Sequence, residues 1–264
     1  MVARNLMDKR EKDRALASAR KAEWMGTIKM LIVTLAFVLT IRTVAAEPFV
    51  VPSPSMVPTL LIGDELLAAK YPYGIGKYSS PIGLMPDFAG RFAGHLPERG
   101  DVIVFRLPRD PSETYVKRLV GLPGDRIQMK GGRLTINGAL LPRRSAGVYE
   151  TVLDGEPHRF ARYVETLPGG REHPILKLSG GSPLDETAEF TVPAHHYFMM
   201  GDNRDMSLDS RVPAADGGVG FVPEENLVGR ADRVLYSRDP EVAVWDLADW
   251  REIFRADRFL GRIE

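Results

Sequence analysis

Asp101-Val102-Ile103-Val104-Phe105-Arg106, bounded by Arg99-Gly100 and Pro108, and Thr114-Tyr115-Val116-Lys117-Arg118-Leu119-Val120, closed by Gly121-Leu122-Pro123-Gly124-Asp125, decide the fold class. Short runs rich in β-branched and aromatic residues and fenced by Gly and Pro are the signature of buried strands. They predict a β fold. Lys117 is the anomaly in the second run, because an ammonium among apolar neighbours is costly unless it is paired or neutral. Two readings stay open at this point: an ordinary strand lysine that faces solvent, and a buried, neutral base.

Downstream, Arg133-Leu134-Thr135-Ile136, Asn137-Gly138 and Ala139-Leu140-Leu141 form a hairpin signature, since Asn-Gly supplies the positive φ angles of a tight two-residue turn. Residues 143–193 are polar and rich in Gly and Pro, which suggests an insertion or small second lobe of short strands. Tyr197-Phe198-Met199-Met200 and Ala231-Asp232-Arg233-Val234-Leu235-Tyr236 read as further strands. Upstream, Tyr71 to Pro97 repeats Gly and Pro and reads as an irregular loop. Helical spacing occurs only at the two chain ends. Near the C-terminus Leu247, Trp250, Ile253 and Phe254 recur every three or four residues, predicting an amphipathic helix at about 244–260. That helix packs either on its own domain or, through Trp245, Trp250 and Phe254, in a bilayer interface.

Working outward to the N-terminal side, Val51-Pro52-Ser53-Pro54-Ser55-Met56-Val57-Pro58-Thr59-Leu60 is stiffened by three prolines and predicted to be non-helical. In an extended segment Ser53 and Ser55 point the same way and serve one site. A plain Pro/Ser linker is the competing reading of this stretch taken alone. Before it, Trp24 to Ala46 is apolar apart from Lys29, Arg42 and a few threonines, and about 20 residues are needed to cross a bilayer core. Lys29 and Arg42 would have to snorkel to the two interfaces. From Met1 to Lys29 eight basic residues (Arg4, Lys9, Arg10, Lys12, Arg14, Arg20, Lys21, Lys29) face four acidic ones (Asp8, Glu11, Asp13, Glu23). That excess marks the cytoplasmic side. The expected layout is a leader at 1–24, a single transmembrane anchor at 25–46 and an extracytoplasmic region at 47–264. A cleavable secretory signal ending at Val44-Ala45-Ala46 is the alternative, and both place residues 47–264 outside the cytoplasm.

Composition excludes several functions. The 35 basic and 35 acidic residues balance, so no global basic field suggests a nucleic-acid partner. With no cysteine there is neither a thiol nucleophile nor a thiolate metal site, and the five histidines form no metal-ligand spacing, so no metal and no cofactor are expected. A serine nucleophile needs a base. No Gly-x-Ser-x-Gly elbow is present, and Pro58 stands three residues after Ser55, which rules out a Ser-x-x-Lys site there. Lysine from elsewhere in the chain, Lys117 above all, is left as the candidate.

Ser53-Pro54-Ser55-Met56-Val57-Pro58-Thr59-Leu60, Arg99-Gly100-Asp101-Val102-Ile103-Val104-Phe105, Tyr115-Val116-Lys117-Arg118-Leu119-Val120-Gly121-Leu122-Pro123-Gly124-Asp125 and Gly201-Asp202-Asn203-Arg204-Asp205-Met206-Ser207-Leu208-Asp209-Ser210-Arg211 stand in the order found in bacterial type I signal peptidase (leader peptidase), which this chain resembles. Gly220-Phe221-Val222-Pro223 to Gly229 extends the match. The resemblance implies a membrane-bound Ser-Lys endopeptidase that removes signal peptides from exported preproteins. It also implies a mainly antiparallel β catalytic core interrupted by a smaller inserted lobe, here at about 127–197, and an inner-membrane location with the N-terminus cytoplasmic. By motif position Ser55 would be the nucleophile and Lys117 the general base, with Ser207 orienting the lysine. The Ser53 hydroxyl and the Ser55 backbone N–H would form the oxyanion hole. Asp202, Arg204, Asp209 and Arg211 would be supporting charges.

This sequence departs from the family pattern at Met206, where Asn is usual, and at Pro54, where Gly is frequent. The first puts hydrogen bonding around Ser207 in doubt; the second leaves the Ser55 N–H untouched. An extended substrate would lie between Phe49–Pro52 and Tyr115–Val116, pairing through its main chain. A pocket walled by Phe49, Val51, Pro52, Met56, Tyr115 and Val116 would admit small residues at the first and third positions before the cut. Exported preproteins and membrane lipid are the expected partners. The rival readings are a membrane-anchored β domain that binds exported partners without catalysis, and a self-cleaving Ser-Lys repressor-type protease, which would carry a helix-turn-helix in place of the apolar segment.

Overall fold

A computed structural model describes residues 2–80, 90–153, 155–239 and 253–263. A single helix, α1 (Val2–Val44), opens the chain, and its Ser18–Val44 part is long and apolar enough to cross a bilayer, with none of its most apolar stretch buried against protein. At 1.5 Å per residue those 27 residues span about 40 Å, more than the roughly 30 Å of a hydrocarbon core. Arg42 does not merely reach for an interface: its Nη2 lies 2.8 Å from Glu47 Oε1, whose other oxygen lies 2.8 Å from Nζ of buried Lys70. The end of the helix is thereby tied to the first two strands.

After Ala45 the chain enters β1 (Ala46–Val50) and returns through β2 (Asp64–Ala69). A short hairpin, β3 (Ile75–Gly76) and β4 (Arg91–Phe92), precedes β5 (Val102–Leu107) and the long β6 (Asp110–Gly121). The chain then builds β7 (Arg126–Lys130), β8 (Arg133–Ile136), β9 (Ala139–Leu140), β10 (Arg143–Leu153), β11 (Glu156–Thr166), β12 (Glu172–Leu178) and β13 (Phe190–Thr191). It closes with β14 (His196–Met200), β15 (Val222–Pro223) and β16 (Leu227–Ser237). The fold is mainly antiparallel β, as expected. Seven strands order as β1-β2-β16-β5-β6-β14-β15, while β10-β11-β12 and β13-β7-β8-β9 form two smaller sheets between β6 and β14. The Asn137-Gly138 turn joins β8 to β9 with φ of 54° and 80°, the left-handed pair that the hairpin requires.

β5 is buried on both faces, which explains its unbroken apolar run. Val102 and Val104 enter a core with Val51, Met56, Leu60, Leu66, Val228 and Val234, whereas Ile103, Phe105 and Leu107 enter another with Leu119, Met199, Val222 and Leu227. A third core, containing Val120, Phe198 and Met200 with Ile127, Leu134 and Ile136, fastens the β7–β9 sheet to the main one.

Most of the helix expected at about 244–260 falls outside the described residues: 244–252, with Trp245 and Trp250, are not among them, and from Phe254 to Leu260 the chain is not α-helical. Phe254 bridges Arg238, and a single 3-10 turn spans Ala256–Arg258. Its arginines act as anchors at sites spread along other elements: Arg255 donates to the Ile62 carbonyl and to Asp239, and Arg258 pairs with Asp64 and donates to the Thr59 carbonyl. Reaching those partners favours an open backbone over one stabilised by its own helical periodicity.

Candidate active site

The Val51–Leu60 stretch leads out of β1 and carries the serines in a conformation only half anticipated. Ser53 is extended (φ −132°, ψ 154°), but Pro54–Met56 close a 3-10 turn in which the Val57 N–H donates to the Pro54 carbonyl at 3.1 Å. The φ that proline imposes suits the first position of a helical turn as well as an extended one, and its missing N–H is not needed there. The two hydroxyls still converge, with Oγ atoms 3.2 Å apart.

Lys117, on β6, is 3 % exposed and places Nζ 2.6 Å from Ser55 Oγ. Residue 117 is opposite Ile103 in the β5–β6 ladder, so one of the two buried strands carries the base candidate directly under the serine turn. Burial lowers its pKa to about 8, against the raising effect of the Asp209 and Asp202 carboxylates and with some help from Arg211. The Tyr115 ring centroid lies 5.4 Å from the same nitrogen. Of the two readings open for this lysine, the structure has the buried one. Ser207, in contrast, is buried on the Asp209 side, where it helps hold that carboxyl down, and the expected orienting bond to Lys117 is not formed here.

A cleft of about 350 Å³ opens beside this pair, lined in part by Phe49, Pro52, Tyr115 and Val116 as expected. Val51 and Met56 are corrected: both belong to the core beneath and neither lines the cleft. The exposed Val50 lines the cleft in their place. Leu66, Val104, Thr114, Met206 and Leu208 also line it and were missed. The signal for the last two was the alternation Met206-Ser207-Leu208 around a buried serine.

The four predicted supporting charges are all buried and paired. Arg118 donates to Asp202 from Nε and Nη2, each at 2.8 Å, and to the Gly100 carbonyl at 2.7 Å. Arg211 makes two 2.8 Å bonds to Asp209, whose Oδ2 also accepts from the Gly201 N–H at 3.0 Å. Arg204 pairs with Glu165, and buried His173 lies between Glu165 (3.5 Å) and Asp202 (3.3 Å). Burial alone would raise these carboxyls; the facing guanidiniums hold Asp202 and Asp209 well below the usual range and bring Glu165 to about 2. Arg118, Glu165 and His173 carry no site signal of their own in the sequence.

Residues 24–236 match the sequence profile of a family described as signal peptidase, peptidase S26. The chain is 39 % identical over 231 residues to a signal peptidase I of Rickettsia typhi, covering 83 % of this chain and 84 % of that protein. It is 38 % identical over 259 residues to a signal peptidase I of Rickettsia canadensis, covering 91 % and 92 %. A crystal structure of a signal peptidase I from Enterococcus faecalis matches at 27 % identity and a TM-score of 0.30, over 52 % of this chain and 97 % of that one.

Proposed function

The chain belongs to the signal peptidase family, peptidase S26, and from that premise we propose that it is a membrane-anchored endopeptidase in which Ser55 and Lys117 form the reacting dyad. The observation that carries this reading is the 2.6 Å approach of a buried Lys117 Nζ to Ser55 Oγ at the edge of a cleft. In the proposed reaction neutral Lys117 takes the Ser55 proton as Oγ attacks the scissile carbonyl carbon. The oxyanion that forms is held by the Ser55 N–H and the Ser53 hydroxyl. Collapse breaks the peptide bond, with the Lys117 ammonium returning its proton to the leaving amine. Water, deprotonated by the same lysine, then hydrolyses the acyl ester and frees Ser55.

Two features support substrate pairing along the cleft. Among the described residues β1 has a strand partner on one edge only, and the 114–117 part of β6 pairs with β5 alone, because β14 meets β6 at Arg118, Leu119 and Gly121. An extended peptide between them would find unpaired main-chain groups on both sides. The apolar walls of Phe49, Val50 and Leu208 leave room for small side chains at the first and third positions before the cut.

For topology, the apolar Ser18–Val44 helix and the basic leader support a single span with the N-terminus cytoplasmic and residues 47–264 outside. The Arg42–Glu47–Lys70 tie would then hold the β domain at the membrane surface, where an exported preprotein emerges. A continuous α1 is at odds with the helix-turn-helix of a repressor-type protease.

Full-length protein in detergent, incubated with a preprotein, is expected to release the signal peptide at one bond after a small residue, as mapped by mass spectrometry. N-terminal sequencing of the membrane-extracted protein is expected to find residues before Glu47; a mature chain starting there would sink the anchor. Ser53→Ala is expected to lower kcat by about 10²–10³ with little change in KM, the usual loss for one oxyanion donor. An unchanged kcat would remove Ser53 from the hole.

A further inference from the structure

The turn that carries Ser55 is fastened from beneath by a residue with no assigned part in the chemistry. Asn203 is fully buried; its backbone N–H donates to the Ser55 carbonyl at 3.1 Å, and its Nδ2 donates to the Pro54 carbonyl at 3.3 Å. A carbonyl oxygen only accepts, so the carboxamide must present its nitrogen to Pro54. The Pro54–Ser55 peptide is trans, the one cis bond among the described residues being Val57-Pro58. In a planar trans peptide the C=O and N–H point in opposite directions. Drawing the Pro54 carbonyl towards Asn203 therefore turns the Ser55 N–H away from Asn203, to the side on which Ser53 and Ser55 line the cleft.

We infer that Asn203 is a positioning residue for the oxyanion hole: by holding the Pro54 carbonyl together with the Val57 N–H of the 3-10 turn, it fixes the plane of the peptide whose N–H is the main-chain donor. This rests on the reading of Ser55 as nucleophile. Asn203 is itself held from the smaller lobe, because it bridges Leu176 of β12 in parallel register, with Leu176 N–H to Asp202 carbonyl at 2.9 Å and Arg204 N–H to Leu176 carbonyl at 3.0 Å. Gly201 permits the approach, since a Cβ there would stand 2.5 Å from the Ser55 carbonyl oxygen. One task of the β10–β12 sheet is thus to press the 201–204 segment against the nucleophile turn.

Asn203→Asp keeps the shape and removes the donor, leaving a carboxylate against a carbonyl oxygen. With a preprotein substrate, kcat is expected to fall by about 10- to 100-fold, below the loss for deleting a donor outright, with KM unchanged. Since Lys117 is untouched, the pH midpoint of activity should stay in place. A peptide boronic acid, whose boron adds to Ser55 Oγ and places a tetrahedral oxygen in the hole, should lose affinity by the same factor as kcat, whereas the cleaved signal peptide should bind as before. Undiminished boronate affinity, or a loss shared equally by the product peptide, would overturn the inference. Should Asn203→Asp fail to fold, Asn203→Ala retains the backbone bond to Ser55 and is read in the same way. If the unmutated protein binds the boronate no tighter than the product, the Ser55 assignment fails instead.

Discussion

Lys117→Arg is expected to be as inactive as Ser55→Ala, with preprotein turnover lowered on the order of 10⁴–10⁶, because a base and the nucleophile it activates act as one unit. Arginine keeps a positive charge and can form the same kinds of hydrogen bond, but its guanidinium is not deprotonated in proteins and cannot accept the Ser55 proton. Lysine can, because burial brings its pKa from 10.5 to about 8. The active form is the neutral amine, so kcat/KM should rise with pH through about 8 and level off above it. Combining Lys117→Arg with Ser55→Ala should cost no more than either alone. The depressed pKa also bears on stability: between about 8 and 10.5 the unfolded state binds more protons than the folded one, so stability rises with pH across that window. Below it the buried amine costs roughly 3 kcal/mol. Lys117→Met should therefore unfold at a higher temperature than the unmutated protein at pH 7, and that advantage should shrink towards pH 10.5. Near-normal turnover by Lys117→Arg would place the base elsewhere.

The parts of this site that a reader of the sequence can find are those whose signal is local. The β-branched runs around Val104 and Val116, the Asn137-Gly138 turn and the apolar segment before Ala46 each state their conformation within a few residues. Lys117 stood out because its charge contradicts its own strand. What local signals omit is which elements meet. Nothing near residue 66 says that β2 will lie between β1 and β16. Val51 and Met56 were assigned to the cleft because they flank the serines in sequence, whereas side-chain direction sends them into the core. Glu165 and His173 lie in a lobe whose composition is uninformative, and they matter only because the fold carries Asp202 and Arg204 to them. At the C-terminus Arg255 and Arg258 bind groups that no local pattern reveals. Asn203 has no role that its own motif makes legible, since the carbonyl it holds belongs to Pro54, far away in sequence.

Asp202→Asn is expected to lower the unfolding free energy by about 3–5 kcal/mol near neutral pH, the usual effect of removing one partner of a buried ion pair. Arg118 is completely buried and gives two of its donors to this carboxylate, so the variant takes the ionised acceptor from both of them while the guanidinium keeps its charge. The Thr59 hydroxyl, which also donates to Asp202, and the nearby His173 ring lose their ionised partner as well. Replacing both members, as in Arg118→Met with Asp202→Leu, removes the buried charge together with its counter-ion and should cost less than the sum of the single changes. The pH dependence follows from the sign of the carboxyl shifts. Asp202 and Glu165 are both depressed, so the stability they contribute is complete above the unfolded values near 4 and drains away as pH falls towards the folded ones, about 2 for Glu165. The variant has one such carboxyl fewer, so the gap between it and the unmutated protein should narrow as pH drops below about 4. Denaturant unfolding of the full chain in detergent micelles at pH 7 and at pH 3 measures both quantities. A loss under about 1 kcal/mol at pH 7, or a gap that does not change with pH, would show that Arg118 finds adequate compensation without Asp202.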